Sequence, residues 1–392
     1  MKENKELVLY HSGFGGNPNL EPLKLVAKLF EEKYPDVRVR VHYQNRFDQP
    51  ETVEEINPDI FFLVHGDFKY FHDKGITANL IPLLKNKDIN PASYVHYKMI
   101  ELLTVEEELM AIPVLINLFG VAYNKTHFDN AGLDYPKEGW TWEQFLNMSL
   151  KLKAVNQDIQ PAKLILHLDL LENLIMSLGG SYLSPDGMRA TGYLNSQPCV
   201  EAIRWVVDYS RKYQLSTHTG ESLEISVEEF NAGKVSMTVN RHEDLRKISD
   251  QMMEQTGFVG MPHFENGVQS IPPILYGFGI SKHTKHPELA FELLSDLTLE
   301  YNAFIQDESG RGQIVALDNI EDRLGVKDKA LRQALKTDFS HLHSGAYLAN
   351  KNWFGGIWTH MLNKLIKEDV SVQEVLNDIA KDVDRHLLKY SK

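Results

Sequence analysis

Cysteine is almost absent from this 392-residue chain. Cys199 stands alone, so no intramolecular disulfide can form and no CxxC pair exists to hold a structural zinc. A stapled secreted module is excluded, while the compartment stays open, because a large protein can be exported without disulfides. Long apolar runs are missing too: Leu109 to Asn124, as long as any uncharged stretch in the chain, is too short for a membrane span and is interrupted by Pro113 and Asn117. Basic residues are outnumbered, with 41 Lys and Arg against 54 Asp and Glu. The resulting formal charge of −13 opposes attraction to nucleic acid or to an anionic membrane surface, so no nucleic-acid partner is expected. No GxSxG, HExxH or P-loop signature is present. The start, MKENKELVLY, enters a strand-like run without the apolar stretch and cleavage site of a signal peptide. The expectation is a cytoplasmic protein or one whose export signal lies outside this sequence.

What is there is ordinary globular material, 43% apolar and 24% charged, long enough for about two domains of roughly 150 residues each. Leu7 to Tyr10 reads as a strand, and His11 to Gly16 as a glycine-rich turn. A helix follows in which Asn19 is the candidate N-cap, Pro22 sits in the tolerant first turn, and Leu23, Val26, Ala27, Phe30 and Tyr34 recur at helical spacing. Val37, Val39 and Val41 then alternate with Arg38 and Arg40 as a second strand, giving a parallel βαβ unit. The apolar run Asp59 to Val64 suits a buried parallel strand, followed by a short helix ending near Gly75. In open α/β sheets ligands sit outside the carboxyl ends of strands, so the segments His11 to Gly16 and His65 to Phe68 become candidate site loops.

Farther on, Thr141-Trp142-Glu143-Gln144 is a capping box, and a helix is expected from about Pro198 to Tyr213. Glu228 to Lys234 looks like a helix end, and Val235 to Val239 like a strand delivering Asn240 and Arg241. Tyr276 to Ile280 is strand-like, Pro287 starts a helix, another runs from Ile357 to Ile366, and Ser371 caps the last.

Several segments, in order, carry a family resemblance. They are Asn57-Pro58-Asp59-Ile60, Gly75 through Leu83, Ala111-Ile112-Pro113 followed by Val121 to Lys125, and Ala131-Gly132-Leu133. Thr141-Trp142-Glu143, Phe230 through Met237, Gly277 through Lys282, and Pro287-Glu288-Leu289-Ala290 complete the set. Together they resemble the family 1 extracellular solute-binding proteins of bacterial ABC importers, the group that includes maltose-binding protein. The resemblance implies an α/β fold of periplasmic-binding-protein type II kind, with two interleaved lobes joined by crossover strands and a ligand cleft between them. On that basis residues 1–113 plus 263–315 form one lobe and 114–262 plus 316–392 the other. It further implies a protein captured by the expectations of that family: extracellular, either periplasmic or a cell-surface lipoprotein whose anchoring cysteine lies upstream, monomeric, and delivering a carbohydrate to transmembrane permease subunits. No cofactor, no metal and no catalytic residue is expected.

Sugar recognition needs flat rings against pyranose faces and polar groups for hydroxyls. With 16 Tyr, 18 Phe and 5 Trp, abundance decides nothing and position must. The aromatic candidates are Phe14, Phe68, Tyr276 and Trp353, with Gly13 beside Phe14 allowing close backbone approach. The polar candidates are His65, Asp67, Asn117, Asn240 and Arg241; the resemblance raises His65 and Asp67, because their loop lines the sugar cleft in the maltose binder. Leu63 and Gly66 replace a tryptophan and an aspartate there, so disaccharide specificity does not transfer. Tyr182 is a weaker candidate contact, and Trp140 and Trp142 read as packing. Against an enzyme, Glu106-Glu107-Glu108 reads as a solvated turn and not as a carboxylate pair. The histidine pairs His341-x-His343 and His283-x-x-His286 are too common at 16 His to indicate a metal. A polyamine or peptide binder of the same architecture is the alternative.

Overall fold

The computed structural model describes residues 5–13, 20–45, 53–164, 168–215, 223–271, 273–300, 314–315, 341–342 and 354–390. The chain divides into two compact units, Met1–Asn117 with Ile274–Leu324, and Leu118–Pro273 with Gly325–Lys392. It leaves unit 1 after Asn117 and returns at Ile274, and these two residues are themselves register partners in the unit 1 sheet.

Unit 1 contains strands β1 (Lys5–Gly13), β2 (Val37–Asn45), β3 (Ile60–Val64), the two-residue hairpin pair β4 (Thr104–Val105) and β5 (Glu108–Leu109), and β6 (Ile112–Asn117). Unit 2 contributes β7 (Phe119–Asn124), β8 (Lys163–Leu164), β9 (Met237–Arg241) and β10 (Thr256–Val259), after which β11 (Ile274–Ile280) and β12 (Ile314–Val315) belong again to unit 1. The unit 1 sheet has the order β12-β6-β11-β3-β1-β2. β1 pairs in parallel with β2 and β3, as the βαβ pattern requires, whereas β11 inserts antiparallel between β3 and β6.

Both faces of this sheet are covered, which is why β3 reads as an unbroken apolar run. Phe61 and Tyr10 point toward Phe71 on the helix His65–Asp73, with ring centroids 5.0 and 6.3 Å apart. Leu7 and Leu9 alternate with Val8 and Tyr10 and so face the other side. The strand β1 runs farther than its apolar residues suggest. His11, Ser12 and Gly13 pair with Tyr43, Gln44 and Asn45 instead of forming a turn, because Tyr10 donates its hydroxyl hydrogen bond to Gln44 at 2.8 Å and the His11 Nδ1 meets the Phe62 carbonyl at 2.8 Å. The strand thus takes in the first three residues of the expected glycine-rich turn, and residues 14–19, Asn19 included, lie outside the described residues.

Unit 2 is built on a four-stranded sheet, β10-β7-β9-β8, in which β8 and β9 are parallel and β7 runs antiparallel to its neighbours. Phe119, Val121, Tyr123, Met237 and Val239 face a large core supplied by the helices Trp142–Val155, Leu168–Ser177, Gln197–Arg211, Phe354–Lys367 and Val372–Tyr390. Ala122, between two of those residues, faces a smaller core with Val227, Phe230, Leu245 and Ile248. Thr141 and Gln144 form the expected capping box, and the Ser371 hydroxyl accepts from the Glu374 amide at the start of the final helix.

Two consequences can be measured. A Cβ on Gly279 would lie 2.6 Å from the Met110 carbonyl oxygen and 2.8 Å from Phe68 Cε1, so Gly279→Ala should lower stability by about 1–3 kcal/mol in urea unfolding. A variant as stable as the parent would mean that β11 does not run this close to the neighbouring strand and helix. Cys199 is buried in the unit 2 core, where desolvation pushes its thiol pKa up to about 12. The native protein should therefore resist an aromatic disulfide reagent near pH 8 and react stoichiometrically once unfolded; rapid native labelling would contradict the packing.

Candidate functional site

The carboxyl ends of β1 and β3 lie at one edge of the unit 1 sheet, and the antiparallel pairing of β11 and β6 brings the start of β11 and the end of β6 to that same edge. Gly13 closes β1 opposite Asn45, Val64 closes β3 opposite Tyr276, and Asn117 closes β6 opposite Ile274. His65 opens the helix after β3, and Asp67 sits half-buried in its first turn, where the helix dipole favours a carboxylate. Gly13, His65, Asp67, Asn117 and Tyr276 are thus gathered at a single edge by strand topology alone.

A row of rings underlies this edge. Tyr43, His11, Phe62 and Phe278 are successive register partners across β2, β1, β3 and β11, with neighbouring centroids 5.8, 4.8 and 4.7 Å apart. Tyr276, one pleat nearer the edge, stacks on Phe62 at 5.7 Å with an interplanar angle of 26°. Its partly exposed ring is held flat by the layer beneath it. Asn117 differs from its neighbours: it is 3% exposed and its Oδ1 has no hydrogen-bond partner among the described residues. A buried, unmet amide oxygen is costly, so the position is one where a donor from outside the described set is gained at an advantage.

Unit 2 presents a comparable edge where β9 ends and β7 begins. Asn240 pairs with Gly120 and Arg241 with Phe119, and the Arg241 guanidinium lies 5.9 Å from the Phe119 ring centroid. Contact with an aromatic face orients the guanidinium, whose planar fork is of the kind that pairs with a carboxylate or with hydroxyls. Asn240 is fully buried within the strand, not carried on a loop, and its Oδ1 accepts from the Arg241 amide at 3.0 Å. Its side chain supports the backbone that carries Arg241.

Other expectations resolve differently. Phe68 is fully buried and lies against Gly279, so it is a core ring of unit 1. Tyr182 likewise belongs to the unit 2 core, because the turn that carries it folds inward beside Leu183. Trp140 and Trp142 are packing residues, Trp140 donating its indole hydrogen bond to the Gly260 carbonyl at 2.8 Å. Glu106 and Glu107 form the two-residue turn between β4 and β5, both with positive φ and with exposed side chains. Phe14 and Trp353 lie outside the described residues. Sequence reading did not single out Tyr43 or Phe119, although the alternation of Val37, Val39 and Val41 extends to Tyr43. Among the described residues no group of three or more His, Cys, Asp or Glu converges as a metal site, and no helix is long and apolar enough to cross a membrane.

Residues 17–300 match the family model of bacterial extracellular solute-binding proteins. The sugar-binding protein MalE from Xanthomonas citri superposes with a TM-score of 0.80 at 14% identity, over 98% of each chain. An ABC substrate-binding protein of Listeria monocytogenes in complex with cycloalternan gives 0.72 at 18% identity, covering 98% of this chain and 99% of that one. Maltose-bound MalE3 of T. maritima gives 0.71 at 18%, over 97% and 100%. At such identities the likeness speaks for the two-lobed α/β fold, and the family model, spanning well over half of the sequence, speaks for membership. This chain belongs to the bacterial extracellular solute-binding protein family.

Proposed function

We propose that the protein captures a sugar or oligosaccharide outside the cell and hands it to the transmembrane permease subunits of an ABC importer. The observation that carries this reading is the composition of the two sheet edges. A ring held flat, Tyr276 on Phe62, shares the unit 1 edge with Asp67 and Asn117, while Arg241 over Phe119 marks the unit 2 edge. Rings together with mixed donors and acceptors suit pyranose faces and hydroxyls. The sugar-binding relatives support the same reading.

In this reading the two compact units are the lobes, and the ligand-contacting set is Gly13, Phe14, His65, Asp67, Asn117, Arg241, Tyr276 and Trp353, with Asn240 supporting Arg241 from within β9. Binding is coupled to hinge closure, because only a ligand that engages both edges discriminates between open and closed forms. The protein acts as a monomer without catalysis or cofactor, held at the membrane by a lipid anchor or free in the periplasm.

A thermal-shift panel of mono- and oligosaccharides, spermidine and zinc tests the ligand class. A cognate sugar at a hundredfold excess over its Kd should stabilise by about 2.7 kcal/mol; a panel in which only spermidine or zinc raises the melting temperature would reverse the assignment. Solution scattering should show a smaller radius of gyration with that sugar, and an unchanged radius at saturation would rule out closure. Tyr276→Ala should weaken sugar binding by about tenfold through the lost stacking surface, with little change in the melting temperature of the unliganded protein. Asn240→Ala should instead lower unliganded stability by about 1–3 kcal/mol by leaving the Arg241 amide unmet, which separates its supporting role from direct contact.

A further inference from the structure

Unit 1 contains a second feature unconnected with the sheet edge described above: a cavity of about 370 Å³ at the opposite end of the sheet. β11 runs from Ile274, opposite Asn117, to Ile280, opposite the first residue of β3, so the cavity lies roughly 20 Å from the Asn117 edge. Its size falls within the range of small-ligand clefts. Two segments that mark the family in the sequence, Gly75 to Leu83 and Gly277 to Lys282, meet here and are locked together. Thr77 bridges Ser281, the Ala78 amide donates to the Ile280 carbonyl at 2.8 Å, and the Lys282 amide donates to the Ile76 carbonyl at 2.8 Å.

The lining has a definite polarity. Thr77 is 6% exposed, and its hydroxyl is buried with no hydrogen-bond partner among the described residues. The Lys282 ammonium forms no ion pair among the described residues and extends over Gly75, 3.4 Å from where a Cβ would stand. Pro287, also in the lining, is the first residue of a nine-residue helix whose N-terminus receives no side-chain cap from His286. An ammonium, an unmet hydroxyl and an uncapped helix start all favour an oxyanion. Glu108 lies in the same wall, 3.3 Å from His72, and Glu288 sits in the first turn of the helix; both oppose negative charge, a doubly charged phosphate more strongly than a single carboxylate. Asn79, whose Oδ1 accepts from the Ile81 amide, keeps its NH₂ group for further hydroxyls.

We propose that this cavity binds a small hydroxycarboxylate, with Lys282 as counter-ion and Thr77 as hydrogen-bond donor, independently of the carbohydrate site. Gluconate titrated into isotope-labelled protein tests this through the amide resonances of Ala78 and Lys282. These should shift saturably while Gly13 and Asn117 do not. Lys282→Met and Thr77→Val should each weaken gluconate binding by about tenfold or more, Thr77→Ser should restore it, and the melting shift given by the cognate sugar should be unchanged in all three. The proposal is overturned by the absence of saturable shifts across the millimolar range, or by variants that bind gluconate as well as the parent does. Equal or tighter binding of inorganic phosphate run in parallel would mark an adventitious ion only and overturn it as well.

Discussion

Unit 1 depends on one strand pairing. β11 enters antiparallel between β3 and β6, and without it the parallel half of the sheet would be cut off from β6 and β12. The insertion is possible because Gly277 and Gly279 remove the side chains that would otherwise strike the Ile112 and Met110 carbonyls. The same strand sets the positions of both the ring-bearing edge and the cavity in the unit. Its first residues place Tyr276 over Phe62, and its last residues place Ser281 and Lys282 against the loop that carries Thr77. Shifting β11 by one residue would invert its faces, sending Tyr276 and Phe278 to the side of Phe68 and bringing the glycines over Phe62.

Unit 2 is organised by a different constraint, a sheet with unequal cores on its two faces. Val121 and Tyr123 face the larger core while Ala122, between them, faces the smaller one. The larger core takes its helices from residues 142 to 211 and from 354 to 390, so segments far apart in sequence close over one set of strands. Lys163, almost fully buried, pairs with Glu229 at 2.5 Å, which lets a lysine occupy the short parallel strand β8. This arrangement leaves Asn240 and Arg241 at the end of β9, their backbone fixed by pairing with β7.

Much of the fold was legible because local signals agreed with it. The alternation of Val37, Val39 and Val41, the apolar run Ile60 to Val64 and the capping box at Thr141 each report a local choice that tertiary structure upheld. The antiparallel direction of Tyr276 to Ile280 was not legible, since a strand pattern carries no information about its partner. His11 was misread as part of a turn because its ring and its imidazole nitrogen are satisfied by residues from two other strands, Tyr43 and Phe62. Phe68 looked available from its place after β3, yet the absence of side chains at Gly279, more than two hundred residues later, opens the space that buries it. The placing of Gly13 and Asp67 at one end of the sheet followed from the general rule for strand ends, whereas the arrival of Asn117 and Tyr276 there, and the ring row beneath Tyr276, required the antiparallel register itself.

The insertion of the first segment of unit 2, Leu118–Pro273, between the two segments of unit 1 also sets an order in time. Ile60 on β3 pairs with Ile280 on β11, so 220 residues of chain separate two hydrogen-bonded neighbours. At synthesis rates of about 5–20 residues per second, the edge of β3 waits roughly 10–40 s for its partner to be made. During that interval β1, β2 and β3 form at most an unfinished sheet with an open, apolar side, which long-range pairing closes slowly. The topology that builds the unit 1 edge thereby also postpones completion of that unit until β11 has been made.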